Sequence, residues 1–241
     1  MNNDRLAKMF INPLDFVDVE FYQNQIISKP SLEDTIAYLC GHDPHHDIDS
    51  LLRRYREIDL AQTDRFQIAP FDPQFMARIV EPLAQAKGSY MVSNFLGTIA
   101  LCGMVCEMLT LLLFEVLPIH LGGQPMNETD QERMFGASLE RLRQDRRVKI
   151  LLVFRLIDDK IKGDFDCVRI LRNKYLHVYS VASADPAKDA CQAYSKTVSL
   201  VVNTLGYSIQ NGKVHFRPEF MQYLEKKGIF QEPQSNETQQ H

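Results

Sequence analysis

The sequence predicts a mainly α protein: an up-and-down helical bundle with a short N-terminal extension and a small C-terminal β-hairpin. Three observations carry that expectation. Between Val168 and Tyr179, the residues Val168, Leu171, Tyr175 and Val178 recur at helical spacing and make one apolar stripe over three turns. Phe95 to Phe114 is apolar throughout except for Glu107, which suits the central helix of a bundle. Near the end, Asn211-Gly212 separates two short alternating runs, Tyr207–Gln210 and Lys213–Phe216, the signature of a hairpin with a tight turn. The expected divisions are an extension over 1–71, the bundle over 72–206, hairpin and short helix over 207–230, and a disordered tail over 231–241.

Taken in order, Phe16 to Ile27 alternates loosely, and Ser31-x-x-Asp34 after Pro30 opens a short helix ending near Gly41. Asp49 to Leu60 reads as an amphipathic helix, with Leu51, Leu52, Tyr55 and Ile58 inward. The loop before it, Gly41 to Asp49, holds His42, His45 and His46, but none has the spacing of a ligand pair on a helix. It reads as a polar loop whose Asp47 or Asp49 caps the next helix, and no metal or other cofactor is expected. Asp72-Pro73 is a helix start, with a bend expected near Pro82 or Gly88 before the helix runs on into the apolar stretch.

Pro118 to Asn127 reads as a loop around Gly122-Gly123, and Thr129-x-x-Glu132 as a capping box for a helix with Phe135, Leu139 and Leu142 on its apolar face. Val148 to Ile161 is the next helix, with Gly163-Asp164 expected to break it before the motif helix. Ala187 to Leu205 closes the bundle, with Ala190, Ala193, Tyr194, Val198, Val201 and Val202 inward, and Glu219 to Lys227 adds a short helix.

Composition narrows the setting. The chain has 241 residues, 45 % of them hydrophobic, enough to bury one large core. Five cysteines without a C-x-x-C pair suit free thiols, and Met1 to Asn12 lacks a basic segment followed by an apolar run, so a cytoplasmic protein is expected. Phe95 to Phe114, at 20 residues, meets the minimum length for a membrane span. Glu107 near the bilayer centre would cost about 2.5–3.5 kcal/mol, and no Lys or Arg cluster flanks the segment, so no membrane partner is expected.

Within the motif helix, Arg172, Asn173 and His177 are the residues that carry chemistry. Asn173 and His177 share a face nearly opposite the apolar stripe, whereas Arg172 stands about 140° from His177, so in a straight helix the two meet only if the long Arg side chain wraps or a second copy of the chain contributes. The run Arg172-Asn173-Lys174-x-x-His177-x-Tyr179 resembles the signature of the HEPN superfamily, in which an Arg is followed after four to six residues by a His. The resemblance covers a little over half the chain and implies a HEPN-like bundle, usually dimeric, whose active members cut RNA without metal at a cleft between protomers. It implies Arg172, Asn173 and His177 as catalytic residues, with Glu107, Lys174 and Tyr179 supporting; Glu107 would pair with Arg172. It also implies a defence or toxin role, with an antitoxin or regulatory partner that modifies Tyr179 in some members. The alternative is a catalytically inactive module that binds RNA, a nucleotide or another protein.

The residue types suit that chemistry. Attack of a 2′-hydroxyl on its own phosphate needs a group of near-neutral pKa to move the proton, and imidazole at about 6.5 is that group. The charge growing on the phosphate needs a fixed cation, which a guanidinium supplies through planar paired donors. From Arg133 to Lys174 there are 12 Lys or Arg against 6 Asp or Glu, a net of +6 in a chain whose total is −4. Arg141, Arg143, Arg146 and Arg147 are accordingly candidate phosphate contacts, or else a solvated helix face.

Overall fold

The structure is a computed structural model that describes residues 10–11, 48–58, 67–68, 73–176, 185–206, 208–210 and 213–228. It is mainly α, and one helix organises the rest. In order, the elements are β1 (Phe10–Ile11), α1 (Ile48–Ile58), β2 (Gln67–Ile68), the single turn α2 (Pro73–Phe75), α3 (Glu81–Met91) and α4 (Phe95–Val116). Then come β3 (His120–Leu121), β4 (Gln124–Pro125), α5 (Glu128–Phe135), α6 (Gln144–Val153), α7 (Asp159–Leu176) and α8 (Pro186–Leu205). The chain closes with β5 (Ser208–Gln210), β6 (Lys213–His215) and α9 (Pro218–Lys226).

Helix α4 lies at the centre, packed by α3, α6, α7, α8 and α9. Its inner side chains Ile99, Cys102, Val105, Cys106 and Leu109 are wholly buried among Val168 of α7, Ala193, Tyr194 and Val201 of α8, and Phe220 of α9. It is long and apolar enough to cross a membrane by length and composition, and just over half of its most apolar window is covered by the other helices. Polar bonds fix its register: Thr98 Oγ1 donates to the Ala86 carbonyl at 3.0 Å, and Cys106 Sγ meets Thr197 Oγ1 at 3.7 Å. Burial pushes the Cys102 thiol up to about 12 and that of Cys106 further still, against the pull of Thr197, so both sulfurs behave as apolar core atoms.

Several boundaries differ from the sequence reading. The irregularity expected near Pro82 lies just before it, as a π-helical turn over Met76–Val80, because a proline has no N–H for the regular ladder. Gly88 sits inside α3. The helix does not run on into the apolar stretch: it stops at Met91, Ser93 takes a left-handed φ of 62°, and Asn94 caps α4 by accepting from Gly97 N at 2.9 Å. The loop around Gly122-Gly123 pairs as a small antiparallel hairpin, His120 opposite Pro125.

The cap of α5 is Asn127, which accepts from Asp130 N, and not Thr129. That helix ends at Phe135, so buried Leu139 and Leu142 belong to the following turn. The helix expected through Ile161 breaks earlier, at 154–158: Arg155 adopts a φ of 56°, and Asp158 Oδ1 accepts from Ile161 N at 2.8 Å to start α7. Gly163 lies within α7, where a carboxylate cap outweighs one glycine's poor propensity.

The N-terminal extension contributes α1, whose Leu51 and Tyr55 cluster with Met91 of α3, while Tyr90 OH donates to Glu57 at 3.2 Å. The β5–β6 hairpin pairs Ser208 with His215, as expected. It is brought back by Gly206, whose φ of 60° and lack of a side chain admit Arg217; a Cβ there would stand 2.5 Å from Arg217 Cβ. The readings for Phe16–Ile27, the helix from Ser31, the histidine loop 41–47, the Asp72 cap, the Asn211-Gly212 turn and the tail lie outside the described residues.

Candidate functional site

The site is built on the side of α4 that faces α6 and α7. Gly103 and Glu107 are one turn apart there, and the stem of Arg172 crosses α4 at Gly103. A Cβ on Gly103 would lie 2.5 Å from Arg172 Cδ and 3.2 Å from Cγ, closer than such atoms pack, so the missing side chain is what admits the arginine. The Arg172 head then reaches Glu107, its Nη1 donating to Oε1 at 3.2 Å. The ion pair expected between these two residues is therefore present, and the geometry gives it a second cation.

That cation is Arg147. Its Nη2 donates to Glu107 Oε2 and its Nη1 to the Glu140 carbonyl at 3.4 Å. Arg147 lies on the buried stripe of α6 with Gln144, Val148 and Leu151, and its side chain is only 5 % exposed. As a phosphate contact it is thus a correction: the helix phase turns it inward. Burial works against its charged form, and Glu107 opposes that effect, keeping the guanidinium protonated. Glu107 and Arg172 are 26 % and 23 % exposed, so the cluster opens to solvent on the Arg172 side.

Two arginines on one carboxylate leave a formal surplus of one positive charge. The Nε atoms of Arg147 and Arg172 and both amide atoms of Gln144 are buried without a hydrogen-bond partner among the described residues. The site therefore carries one more positive charge than its carboxylate offsets, which favours an anion on the partly exposed Arg172 side.

The other candidates fall around it unevenly. Asn173 is half-buried beside Arg172. Lys174 points to the far side of α7, where its Nζ and the Tyr175 hydroxyl both donate to Asp189 Oδ2 at 2.6 Å, so the structure does not bring it to the Arg172 cluster. Arg141, Arg143 and Arg146 are exposed; Arg143 pairs with Asp145 at 3.3 Å, and Arg146 Nη2 donates to the Phe135 carbonyl at 3.2 Å. His177 and Tyr179 lie outside the described residues.

Asp189 is a residue the sequence reading missed, since its partners lie on a different helix and no local pattern links them. Burial raises its pKa, but the hydrogen bonds from Lys174 and Tyr175 outweigh that and hold it below the ordinary aspartate value. Its contribution is therefore fully present above the unfolded value of about 3.9 and is lost as pH falls through the lower folded value. Asp189→Asn is expected to melt below wild type at pH 6 and to converge with it in acid; an equal gap at both pH values would show that the charge plays no part.

Comparison with protein-family models, curated proteins and solved structures finds no match to this chain.

Proposed function

We propose that this protein is a metal-independent endoribonuclease of the HEPN type, acting on RNA at the cleft of a homodimer, with a cytoplasmic defence or toxin role. The observation that carries the reading is the pairing of Arg172 with Glu107 in a cluster that keeps one surplus positive charge, on the helix that leads to His177. In this reading Arg172 holds the phosphate and Asn173 accompanies it. His177 of one protomer takes the proton from the 2′-hydroxyl, whose oxygen attacks the adjacent phosphorus. The P–O5′ bond breaks, and the second protomer supplies the imidazolium that protonates the leaving 5′-oxygen. The products are a 2′,3′-cyclic phosphate and a 5′-hydroxyl.

Two further features favour it. Leu96 and Met104 stand half-exposed on α4, at helical spacing on the same side as Glu107. Apolar side chains beside a charged cluster suit a seam with a second copy. Exposed Arg141, Arg143 and Arg146 suit phosphate contacts away from the cleft. A regulatory partner acting on Tyr179 belongs to the same proposal.

The second reading, a catalytically inactive module binding RNA, a nucleotide or a protein, is favoured by one observation: Arg172 is largely buried and already paired within a single chain. The test is cleavage of single-stranded RNA and tRNA in EDTA by wild type and by His177→Ala, with end-group analysis. Cutting that leaves a cyclic phosphate and disappears in the variant supports the nuclease. No cutting by a folded dimer, with RNA binding retained, selects the module.

A further inference from the structure

Glu107 poses a problem for the reading above, because a carboxylate that orients an arginine also cancels its charge. A neutral Glu–Arg pair is a poor ligand for a phosphodiester. The answer lies in how the carboxylate is shared. Oε1 accepts from Arg172 and Oε2 from Arg147, which comes from a different helix and has a side chain only 5 % exposed. Arg147 cannot itself reach a large ligand, since its head is enclosed between Glu107 and the Glu140 carbonyl. It acts on the ligand only through the charge it supplies.

We propose that Arg147 is a positioning residue that sets the charge of the site: by occupying one oxygen of Glu107, it leaves Arg172 held in place yet electrically available to an RNA phosphate. This rests on the RNA-cleaving reading and assigns Arg147 a role different from direct phosphate contact. Guanidinium suits the task, since it stays protonated when buried and offers separate donors to Glu107 and Glu140. The exposed quarter of Arg172 is then where the surplus charge meets solvent.

A purely structural role and a charge-setting role make opposite forecasts for a double substitution. Arg147→Met leaves Glu107 to neutralise Arg172, and affinity for a non-cleavable 2′-O-methyl oligonucleotide is expected to fall about tenfold. Adding Glu107→Gln removes the neutralising charge and is expected to restore most of that loss, although it takes away one more group. Arg147→Lys places a cation beside Glu107 but gives up the separate donor to Glu140 and holds its proton less firmly when buried, so it is expected to bind between wild type and Arg147→Met. Titration of inorganic phosphate runs in parallel, and thermal melting establishes that each variant is folded.

Wild-type binding in Arg147→Met, or a double variant weaker than the single one, overturns the proposal while leaving the nuclease reading intact. A wild-type protein that leaves cleavable RNA uncut while the binding pattern is as forecast overturns the nuclease reading and leaves the role of Arg147 standing. A wild-type protein that binds neither the oligonucleotide nor phosphate overturns both.

Discussion

Glu107→Ala is expected to cost about 2–4 kcal/mol of folding stability, the largest loss of any single polar substitution discussed for this protein. The reason is asymmetric. Removing one member of a buried ion pair leaves the other uncompensated, at about 3–5 kcal/mol, whereas removing both is close to neutral. Arg147 is the member left stranded, with a side chain 5 % exposed and, among the described residues, only the Glu140 carbonyl to bond. The figure is set below the full range because Glu107 and Arg172 are about one quarter exposed, and water offsets part of the loss. For a chain of this size each kcal/mol moves the melting temperature by about 2–4 °C, so the midpoint should fall by about 5–15 °C. Urea denaturation of Glu107→Ala beside the Arg147→Met/Glu107→Gln double variant checks it. A loss below about 1 kcal/mol would mean that Arg147 finds another partner or turns out to solvent.

The same cluster shows where sequence reasoning reached and where it stopped. The helical class, the central helix, α8 and the final hairpin were legible, since each rests on a periodicity of apolar residues or on a turn residue with a local mechanism. Glu107 was legible as well, as the single charge in an apolar run. Arg147 was misplaced because charge counting treats every arginine in a basic stretch as surface. Its spacing from Gln144, Val148 and Leu151 placed it on their stripe, a signal that composition overrode. The break before α7 was set at Gly163 because glycine is the more conspicuous residue, while Asp158 acts through one bond to Ile161 N. Asp189 could not be found locally at all, because its meaning comes from Lys174 and Tyr175 across a helix interface.

Gly103 gives the sharpest separation between stability and function. In sequence it is only a weak helix former in an apolar run, and replacing it with alanine would gain about 1 kcal/mol of helix propensity. In the fold that gain meets a clash, since the new Cβ would stand 2.5 Å from Arg172 Cδ. Overpacking of this kind costs about 1–3 kcal/mol, so the net change in stability should be a loss no larger than about 2 kcal/mol. The arginine stem must shift by enough to clear the methyl group, and its head then leaves Glu107. On the proposed RNA-cleaving reading, misplacing a catalytic group by about 1 Å costs on the order of 10²-fold, so Gly103→Ala should lower kcat/KM for RNA by about that factor while the melting temperature falls by no more than about 8 °C. The decisive measurement is a double-mutant cycle with Arg172→Met. If Gly103 acts by seating that arginine, adding Gly103→Ala to Arg172→Met costs no further activity. If the two losses multiply, Gly103 serves the site by another route, and the close approach of Arg172 to α4 is packing alone.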